Sequence, residues 1–214
     1  MRVGILGSGL MGGKLGTLFA RAGHDVVFGY ARTKGKLTRL ACEAGRNARA
    51  GTPAEAAAGA DAVLLAVHWS RVDDVLKQAG DLSGRTVIST CLPMNADDTA
   101  LVLGLNSSGA EVLAKKIPKA DVVSAFGTVP SEVLFGVYAA RKRARRPTLV
   151  YCGDEARAKK KAAKLIAGLG FDPLDAGPLR LARYTEPFTL LIAQLAYEGK
   201  GGPELAYRLE RYEA

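Results

Sequence analysis

A glycine loop near the start of the chain, Ile-Leu-Gly-Ser-Gly-Leu-Met-Gly at residues 5–12, most constrains the fold. It gives the pattern G-x-G-x-x-G, following the apolar run 2–6 and preceding a helix-forming stretch that ends at Gly23. Here Gly7 permits a tight turn, Gly9 lets the backbone approach a pyrophosphate, and Gly12 lets helix and strand pack closely. The pattern predicts a strand–turn–helix that binds a dinucleotide through free backbone amides. A glycine-rich turn without a ligand is the alternative.

The rest of the chain alternates between apolar runs and helix-forming segments. The runs at 25–30, 61–67, 85–90, 120–126 and 147–153 are continuously apolar, which is typical of parallel strands covered on both faces. We predict an α/β fold, a Rossmann-type doubly wound and mainly parallel sheet. Residues 1–153 would form the dinucleotide-binding Rossmann domain, and 154–214 a small helical part packed on the same core. In that part, 171–177 is expected to be extended and 180–198 helical, with a break or kink at Pro187.

The lengths of its apolar runs, its cysteines and its net charge exclude several classes of protein. No apolar run reaches the roughly 18 residues of a membrane span, and glycines interrupt the N-terminal stretch too early for a signal peptide. The three cysteines, Cys42, Cys91 and Cys152, are too far apart for a disulfide framework or a CxxC metal pair. We expect buried, reduced thiols, no metal and a cytoplasmic protein. The net charge of +9 favours acidic partners.

An acidic residue is missing where a dinucleotide fold usually holds the adenosine ribose. The second predicted strand ends at Tyr30, and Ala31, Arg32, Thr33, Lys34, Gly35 and Lys36 follow. A carboxylate there would bind the ribose hydroxyls of NAD and repel a 2′-phosphate, whereas cations and a hydroxyl suit the phosphate. The sequence therefore predicts NADP(H), with Tyr30 beside the adenine. Solvated loop charges are the alternative, mainly for Lys34 and Lys36.

Several segments together resemble the NADPH-dependent coenzyme F420 reductase family, which is related to the reductase domain of the STEAP metalloreductases. The resemblance rests on residues 2–16, 22–32, 63–69, 120–134 and 173–197, and so runs nearly end to end. It implies hydride transfer between NADP(H) and a flat electron carrier such as coenzyme F420 or a flavin, usually in a homodimer. Such a reaction needs positioning and exclusion of water more than an acid–base pair.

The resemblance also implies site residues. Ser8, Gly9, Leu10 and Met11 match the pyrophosphate loop, and Arg32 matches the 2′-phosphate region. Val67, His68 and Trp69 follow the predicted strand at 61–67, where the family contacts the cofactor. The segment beside nicotinamide and substrate corresponds to Ala125, Phe126, Gly127, Thr128, Val129 and Pro130.

Three positions depart from the archaeal F420 reductases. Gly127 stands where those enzymes have histidine, His68 where they have proline, and Ala31 where they have a phosphate-binding arginine. Arg32 follows one place later. The departures leave the acceptor open, and they permit a second hypothesis, a non-catalytic NADP(H) sensor or interaction protein.

Other residues carry weaker hypotheses. His68, at the carboxyl edge of the predicted sheet, could donate a proton, or it could satisfy a loop carbonyl. The apolar stretch 188–197 could cover the nicotinamide, form a dimer surface or belong to the core. The basic run 140–146 could bind nucleic acid, but no aromatic residues interleave with it, and a solvated loop is favoured.

Overall fold

The computed structural model describes residues 1–212, except for the side chain of Lys34. Within this range eight strands form one sheet. The strands are Arg2–Leu6 (β1), Asp25–Phe28 (β2), Ala48–Ala50 (β3), Ala62–Leu65 (β4), Thr86–Ser89 (β5), Asp121–Ser124 (β6), Thr148–Gly153 (β7) and Asp172–Asp175 (β8).

Helices connect these strands and cover both faces of the sheet. The α-helices are Leu10–Arg21 (α1), Lys34–Ala44 (α2), Pro53–Ala57 (α3), Val72–Ala79 (α4), Gly109–Lys116 (α5), Val133–Ala139 (α6), Ala156–Gly168 (α7) and Ala182–Tyr197 (α8). Short 3-10 helices at Trp69–Arg71 and Leu179–Leu181 precede α4 and α8. Among residues 1–212 no helix has both the length and the apolarity to cross a membrane.

The strand order is β3-β2-β1-β4-β5-β6-β7-β8, and every neighbouring pair is parallel except β6 with β7. The first six strands therefore have the 3-2-1-4-5-6 order of a dinucleotide-binding fold. In this order the strands are added outward in one direction from β1 and then in the opposite direction from β4, so the switch point lies between these two parallel strands. Two buried apolar clusters lie on the two faces of the sheet. The continuously buried strands β4, β5 and β7 explain the uninterrupted apolar runs in the sequence.

The structure corrects two expectations. Helix α8 runs from Ala182 to Tyr197 without the break predicted at Pro187. Pro187 lies near the start of the helix, where its ring costs only one intrahelical bond, to the Arg183 carbonyl. The thiol of Cys42 lies on the exposed side of α2, whereas Cys91 and Cys152 are buried as expected.

Two strands were not predicted as such. β3 is only three residues long and half-exposed at the sheet edge, so it lacks an apolar run. β8 is the segment expected only to be extended, and it pairs in parallel with β7. Since α7 and β8 extend the same sheet beyond residue 153, the division of the chain at that residue stays a prediction.

Candidate functional site

The three glycines of the loop meet different surroundings. Gly7 has a φ of +119°, and a Cβ there would lie 2.1 Å from the Ala66 carbonyl oxygen. A Cβ on Gly12 would lie 1.9 Å from the Gly7 carbonyl oxygen. A Cβ on Gly9 would meet nothing within 4 Å. Packing therefore requires glycine at positions 7 and 12, while Gly9 leaves open space where a ligand can approach the backbone.

Helix α1 begins without a side-chain cap, as do α2, α4, α6, α7 and α8, whereas α3 and α5 are capped. Gly9 is its N-cap residue, and no side chain accepts from its first-turn amides. By contrast, Thr52 and Glu55 form a reciprocal capping box on α3. At the start of α5, the Ser108 hydroxyl accepts from the backbone amide of Glu111. Uncapped amides at a helix start are a ready anion site, so the loop fits a dinucleotide pyrophosphate.

On one side of the loop lies a cavity of about 310 Å³, here called the adenosine cavity. Its cations come from two segments of chain, Arg32 and Lys36 after β2 and Arg71 after β4, and none of its lining residues carries a carboxylate. This charge fits a phosphate-bearing adenosine ribose better than a bare ribose. The full lining is Gly7, Ser8, Gly9, Tyr30, Ala31, Arg32, Lys36, Ala66, Val67, His68 and Arg71.

Tyr30 is fixed at the rim of the adenosine cavity from two directions. The hydroxyl of buried Ser8 donates to the Tyr30 carbonyl at 2.8 Å, and the Tyr30 hydroxyl donates to an oxygen of Asp74 at 2.5 Å. The hydrogen bond from Tyr30, followed by that from Gln78, lowers the pKa of Asp74. The aromatic ring is thus held in place at the rim, and its contact with an adenine stays a prediction.

His68 uses both ring nitrogens within the protein. Nδ1 accepts from the Ser70 amide at 3.2 Å and contacts the Ser70 hydroxyl at 2.8 Å. Because Nδ1 accepts, the proton of the neutral ring is on Nε2, which lies 2.9 Å from Asp98. The ring lines the adenosine cavity, and its catalytic role stays a prediction. Trp69, next in the chain, packs against the core cluster that contains β4 and β5.

On the other side of the loop lies a cavity of about 260 Å³, here called the acceptor cavity. It is enclosed by the glycine loop, the loop after β6 and one face of α8. Most of its wall is aliphatic, which suits the face of a flat ring system. The lining is Leu10, Met11, Gly127, Val129, Pro130, Ser131, Thr189, Ile192, Ala193 and Tyr197.

The loop after β6 divides its residues between the core and the acceptor cavity. Phe126 is fully buried with a φ of +66°, and its ring packs edge-on against Phe19 at 5.9 Å. Ala125 is also buried, and the Tyr207 hydroxyl donates to the buried Thr128 side chain at 2.8 Å. Anchoring on both sides thus presents Gly127 to the acceptor cavity. Any ligand contact of Phe126 would be through its backbone.

The N-terminal part of the sequence matches a known family. Residues 2–93 match the family described as NADP oxidoreductase, coenzyme F420-dependent. This match confirms the family resemblance predicted from the sequence, and it supports NADP(H) as the nucleotide. The matched range contains the glycine loop, the cationic segment after β2 and every residue that lines the adenosine cavity.

Individual relatives agree with the family match. The chain is 29% identical over 192 residues to Metalloreductase STEAP3 of Rattus norvegicus, covering 88% of this chain but only 36% of that protein. A solved structure from Arthrobacter sp. FB24, described as a suggested F420-dependent NADP reductase, is 23% identical over 99% of this chain and 100% of that one, with a TM-score of 0.85. The structure of a reductive aminase from Aspergillus terreus, solved with NADPH, is 18% identical over 90% of this chain and 60% of that one, with a TM-score of 0.67. The structural likenesses confirm the Rossmann-type fold.

Of the predicted residues, the structure gathers most around the glycine loop, on two sides. Leu10 and Met11 line the acceptor cavity with Gly127, Val129 and Pro130. Thr33 is the exposed N-cap residue of α2, outside both cavity linings. For all of the predicted site residues, contact with a ligand stays a prediction.

The sequence offered the stretch 188–197 as one possible cover of the nicotinamide, and Thr189, Ile192, Ala193 and Tyr197 from it do line the acceptor cavity, but Lys14, Ser131 and Glu132 beside them were missed. Tyr197 donates to Glu132 at 2.9 Å, and Lys14 lies 3.2 Å from the Ser131 hydroxyl and 3.7 Å from Glu132. These contacts join α8 to the starts of α6 and α1. Arg71 of the adenosine cavity was also missed. Its position just after β4, at the edge of the sheet where ligands bind, is the one sequence feature that could have indicated it.

Glu186 lies in the stretch 173–197 on which the family resemblance rests, but sequence reasoning gave it no role. It is 5% exposed, and its carboxylate accepts from the Gly109 amide at 2.8 Å and the Ala110 amide at 3.0 Å. Burial raises its pKa from 4.5 to about 7, against the opposing effect of the two amides. It lines a small polar hole together with Gly127 and Thr189, two residues of the acceptor cavity. A titratable group therefore lies beneath the acceptor side.

Proposed function

We propose that the protein is an NADP(H)-dependent oxidoreductase that transfers hydride between NADP(H) and a flat electron carrier such as coenzyme F420 or a flavin. The observation that carries the proposal is the arrangement of two cavities around one glycine loop. A cationic cavity and an apolar cavity meet at residues 9–10, where a dinucleotide bound on the loop could extend from one to the other. The family match supports the same reaction class.

The chain's own contribution would be binding and positioning. Arg32, Lys36 and Arg71 supply positive charge for the phosphate of the adenosine ribose, and the α1 amides supply donors for the pyrophosphate. Bound NADPH supplies the hydride, two electrons with one proton, and the reduced carrier takes its second proton from water. The aliphatic wall of the acceptor cavity would orient the carrier and exclude water.

Turnover tests the proposal directly. NADPH oxidation is followed with coenzyme F420, FMN and riboflavin as separate acceptors, and NADH serves as the comparison nucleotide. We expect NADPH-dependent reduction of at least one carrier, with NADH much less effective. If no carrier in this set is reduced, the oxidoreductase proposal is wrong.

The variant Gly9→Ala separates the loop's ligand role from its packing role. Its Cβ meets nothing within 4 Å, so thermal stability should be unchanged, but the methyl group would occupy the approach to the pyrophosphate. We expect NADPH affinity to fall by about tenfold or more. Gly136→Ala, on α6 and equally open, is the matched control and should leave affinity unchanged.

A non-catalytic NADP(H) sensor is the second candidate. The cavity-lining Gly127, where archaeal F420 reductases carry histidine, and the engagement of both His68 nitrogens favour it. A sensor would bind NADPH with the same preference over NADH but show no turnover with any carrier. Calorimetry on the same preparation distinguishes it, because absence of NADPH binding would refute the sensor and the enzyme alike.

We also propose that the chain forms a homodimer in the cytoplasm. Helix α8 exposes Tyr184, Leu191 and Leu195 at 53–58%, an apolar face that a second copy could cover. Light scattering of the wild type should give twice the chain mass, and Leu191→Glu with Leu195→Glu should give a monomer. A monomeric wild type at micromolar concentration would refute the dimer.

A further inference from the structure

After α8 the chain comes back to the sheet as an irregular stretch, residues 203–209, here called the returning segment. It lies along β7. The amide of Thr148, the first residue of that strand, donates to the Tyr207 carbonyl at 2.9 Å, and the Leu209 amide donates to the Thr148 hydroxyl at 3.0 Å. Binding of the dinucleotide, as proposed above, gives this segment no role.

The Tyr207 side chain joins two of the elements that enclose the acceptor cavity. Its ring packs edge-on against Phe188 of α8, with 5.1 Å between the ring centroids. Its hydroxyl donates to the Thr128 side chain, in the loop after β6, at 2.8 Å and accepts from the Val150 amide at 3.4 Å. Burial raises the pKa of Tyr207, so the hydroxyl remains a donor at ordinary pH.

Both of these contacts lie one residue away from the cavity lining. Phe188 precedes Thr189, whose side chain lines the cavity from α8. Thr128 lies between Gly127 and Val129, which line it from the loop. A Cβ on Gly127 would lie only 3.4 Å from the Thr189 hydroxyl oxygen, so loop and helix approach each other closely here. A small displacement of either element therefore changes the shape of the cavity.

We propose that Tyr207 is a positioning residue for the electron acceptor, and that its hydroxyl fixes the loop after β6 against α8 across the acceptor cavity. This inference rests on the proposed function and deepens it. Tyr207 lies outside the cavity lining and takes no part in hydride transfer. Its loss should therefore weaken binding of a flat ring between the two walls and leave NADPH binding unchanged.

Tyr207→Phe tests the proposal, because it keeps the ring against Phe188 and leaves the Thr128 hydroxyl and the Val150 amide without their partner. With FMN, riboflavin and coenzyme F420 as separate acceptors, we expect the acceptor KM to rise by about three- to tenfold. The kcat and the NADPH dissociation constant should change by less than about twofold. Tyr212→Phe is the matched control, since Tyr212 is 89% exposed, and it should leave all three quantities at the wild-type value.

A double-mutant cycle shows whether the hydrogen bond itself is responsible. Thr128→Val removes the other partner at nearly constant shape and should raise the acceptor KM to a similar extent. Because both changes break the same bond, Tyr207→Phe/Thr128→Val should be no worse than the single variants. Additive effects, or a less stable Tyr207→Phe that keeps the wild-type KM, would assign Tyr207 to the fold alone and overturn the proposal.

Two measurements without turnover separate this inference from the proposed function. Hydrogen exchange of the amides in 125–131 should be faster in Tyr207→Phe than in the wild type, while exchange in the glycine loop stays unchanged. Fluorescence titration with FMN, riboflavin and coenzyme F420 in the presence of NADP⁺ should show weaker binding to the variant. An inactive protein that shows both effects would refute the proposed function alone. Unchanged exchange in 125–131, or a wild type that binds none of these rings, would overturn the positioning role.

Discussion

The adenosine cavity and the acceptor cavity lie on two sides of one glycine loop, but they are built differently. The adenosine cavity draws its whole lining from residues 7–71, and its charge comes from side chains at the rim. The acceptor cavity combines residues from 10 to 197, and its wall is mainly aliphatic. The first surface is formed by the segments that follow β1, β2 and β4, within the first 71 residues, whereas the second depends on where α8 packs. Changes on the two sides should therefore affect different measurements.

The largest effect is expected where both sides depend on the loop itself. In Gly12→Ala the new Cβ would lie 1.9 Å from a backbone oxygen, so the loop must shift. We expect affinity for NADPH and NADH alike to fall by about a hundredfold or more, with a stability loss of about 1–3 kcal/mol. Calorimetry and chemical denaturation measure the two quantities. A variant that binds both nucleotides normally would contradict the assignment of the loop.

The acceptor side should lose stability as the pH rises, because it contains a buried carboxyl group. Because the pKa of Glu186 is raised from 4.5 to about 7, the folded protein between these pH values holds a proton that the unfolded chain has released. Stability should therefore fall by about 3 kcal/mol as the pH rises from about 4.5 to about 7, and this contribution should stay constant above pH 7.

Glu186→Gln isolates this contribution, because glutamine does not titrate. Denaturation with urea from pH 4.5 to pH 8 should show a flatter profile for the variant than for the wild type. Glu155→Gln, an exposed carboxylate at the start of α7, is the control and should keep the wild-type slope. Parallel profiles for wild type and Glu186→Gln would show that the buried carboxyl does not cause the pH dependence.

On the adenosine side, Arg32 should distinguish the two nucleotides. A charge-assisted contact with the 2′-phosphate contributes about 1.5–3 kcal/mol, so Arg32→Ala should weaken NADPH by about ten- to a hundredfold. NADH lacks the phosphate and should be nearly unaffected. Tyr30→Asp should narrow or invert the preference, since a carboxylate accepts from ribose hydroxyls and repels the phosphate.

Dissociation constants for both nucleotides at fixed salt make this comparison. Arg46→Ala removes an exposed cation after α2 that lies outside the lining of the adenosine cavity, and it should change neither constant appreciably. Equal losses of NADPH and NADH in Arg32→Ala would assign the residue to the fold. A loss confined to NADPH would support its role as a phosphate ligand.

The same contrast explains how much the sequence could predict. Gly7, Gly9, Gly12 and the absence of an acid after Tyr30 lie within one short segment, and their spacing alone indicates what they bind. Ser131, Thr189 and Tyr197 reach the acceptor cavity only because α6 and α8 pack over the end of the sheet. No local pattern encodes that docking. The local sequence around Glu186 does not indicate its role either. Its carboxylate caps α5 by accepting from the amides of Gly109 and Ala110, which are 77 and 76 positions away in the chain.

The smallest effect is expected at the contact that fastens α8 over the acceptor cavity. Burial, together with the hydrogen bond to Glu132, raises the pKa of Tyr197 to about 12, so its hydroxyl remains a donor at ordinary pH. Tyr197→Phe removes a partly exposed hydrogen bond of about 1 kcal/mol or less, while Glu132 keeps its contacts with Lys14 and Ser131. We expect the KM of the acceptor to rise about two- to fivefold, with NADPH affinity unchanged. Tyr184→Phe, on the same helix but outside the cavity lining, should leave both quantities at the wild-type value. If Tyr197→Phe weakened the binding of NADPH as much as that of the acceptor, the two sides of the loop would be coupled through α8. The view that the two cavities act independently would then be wrong.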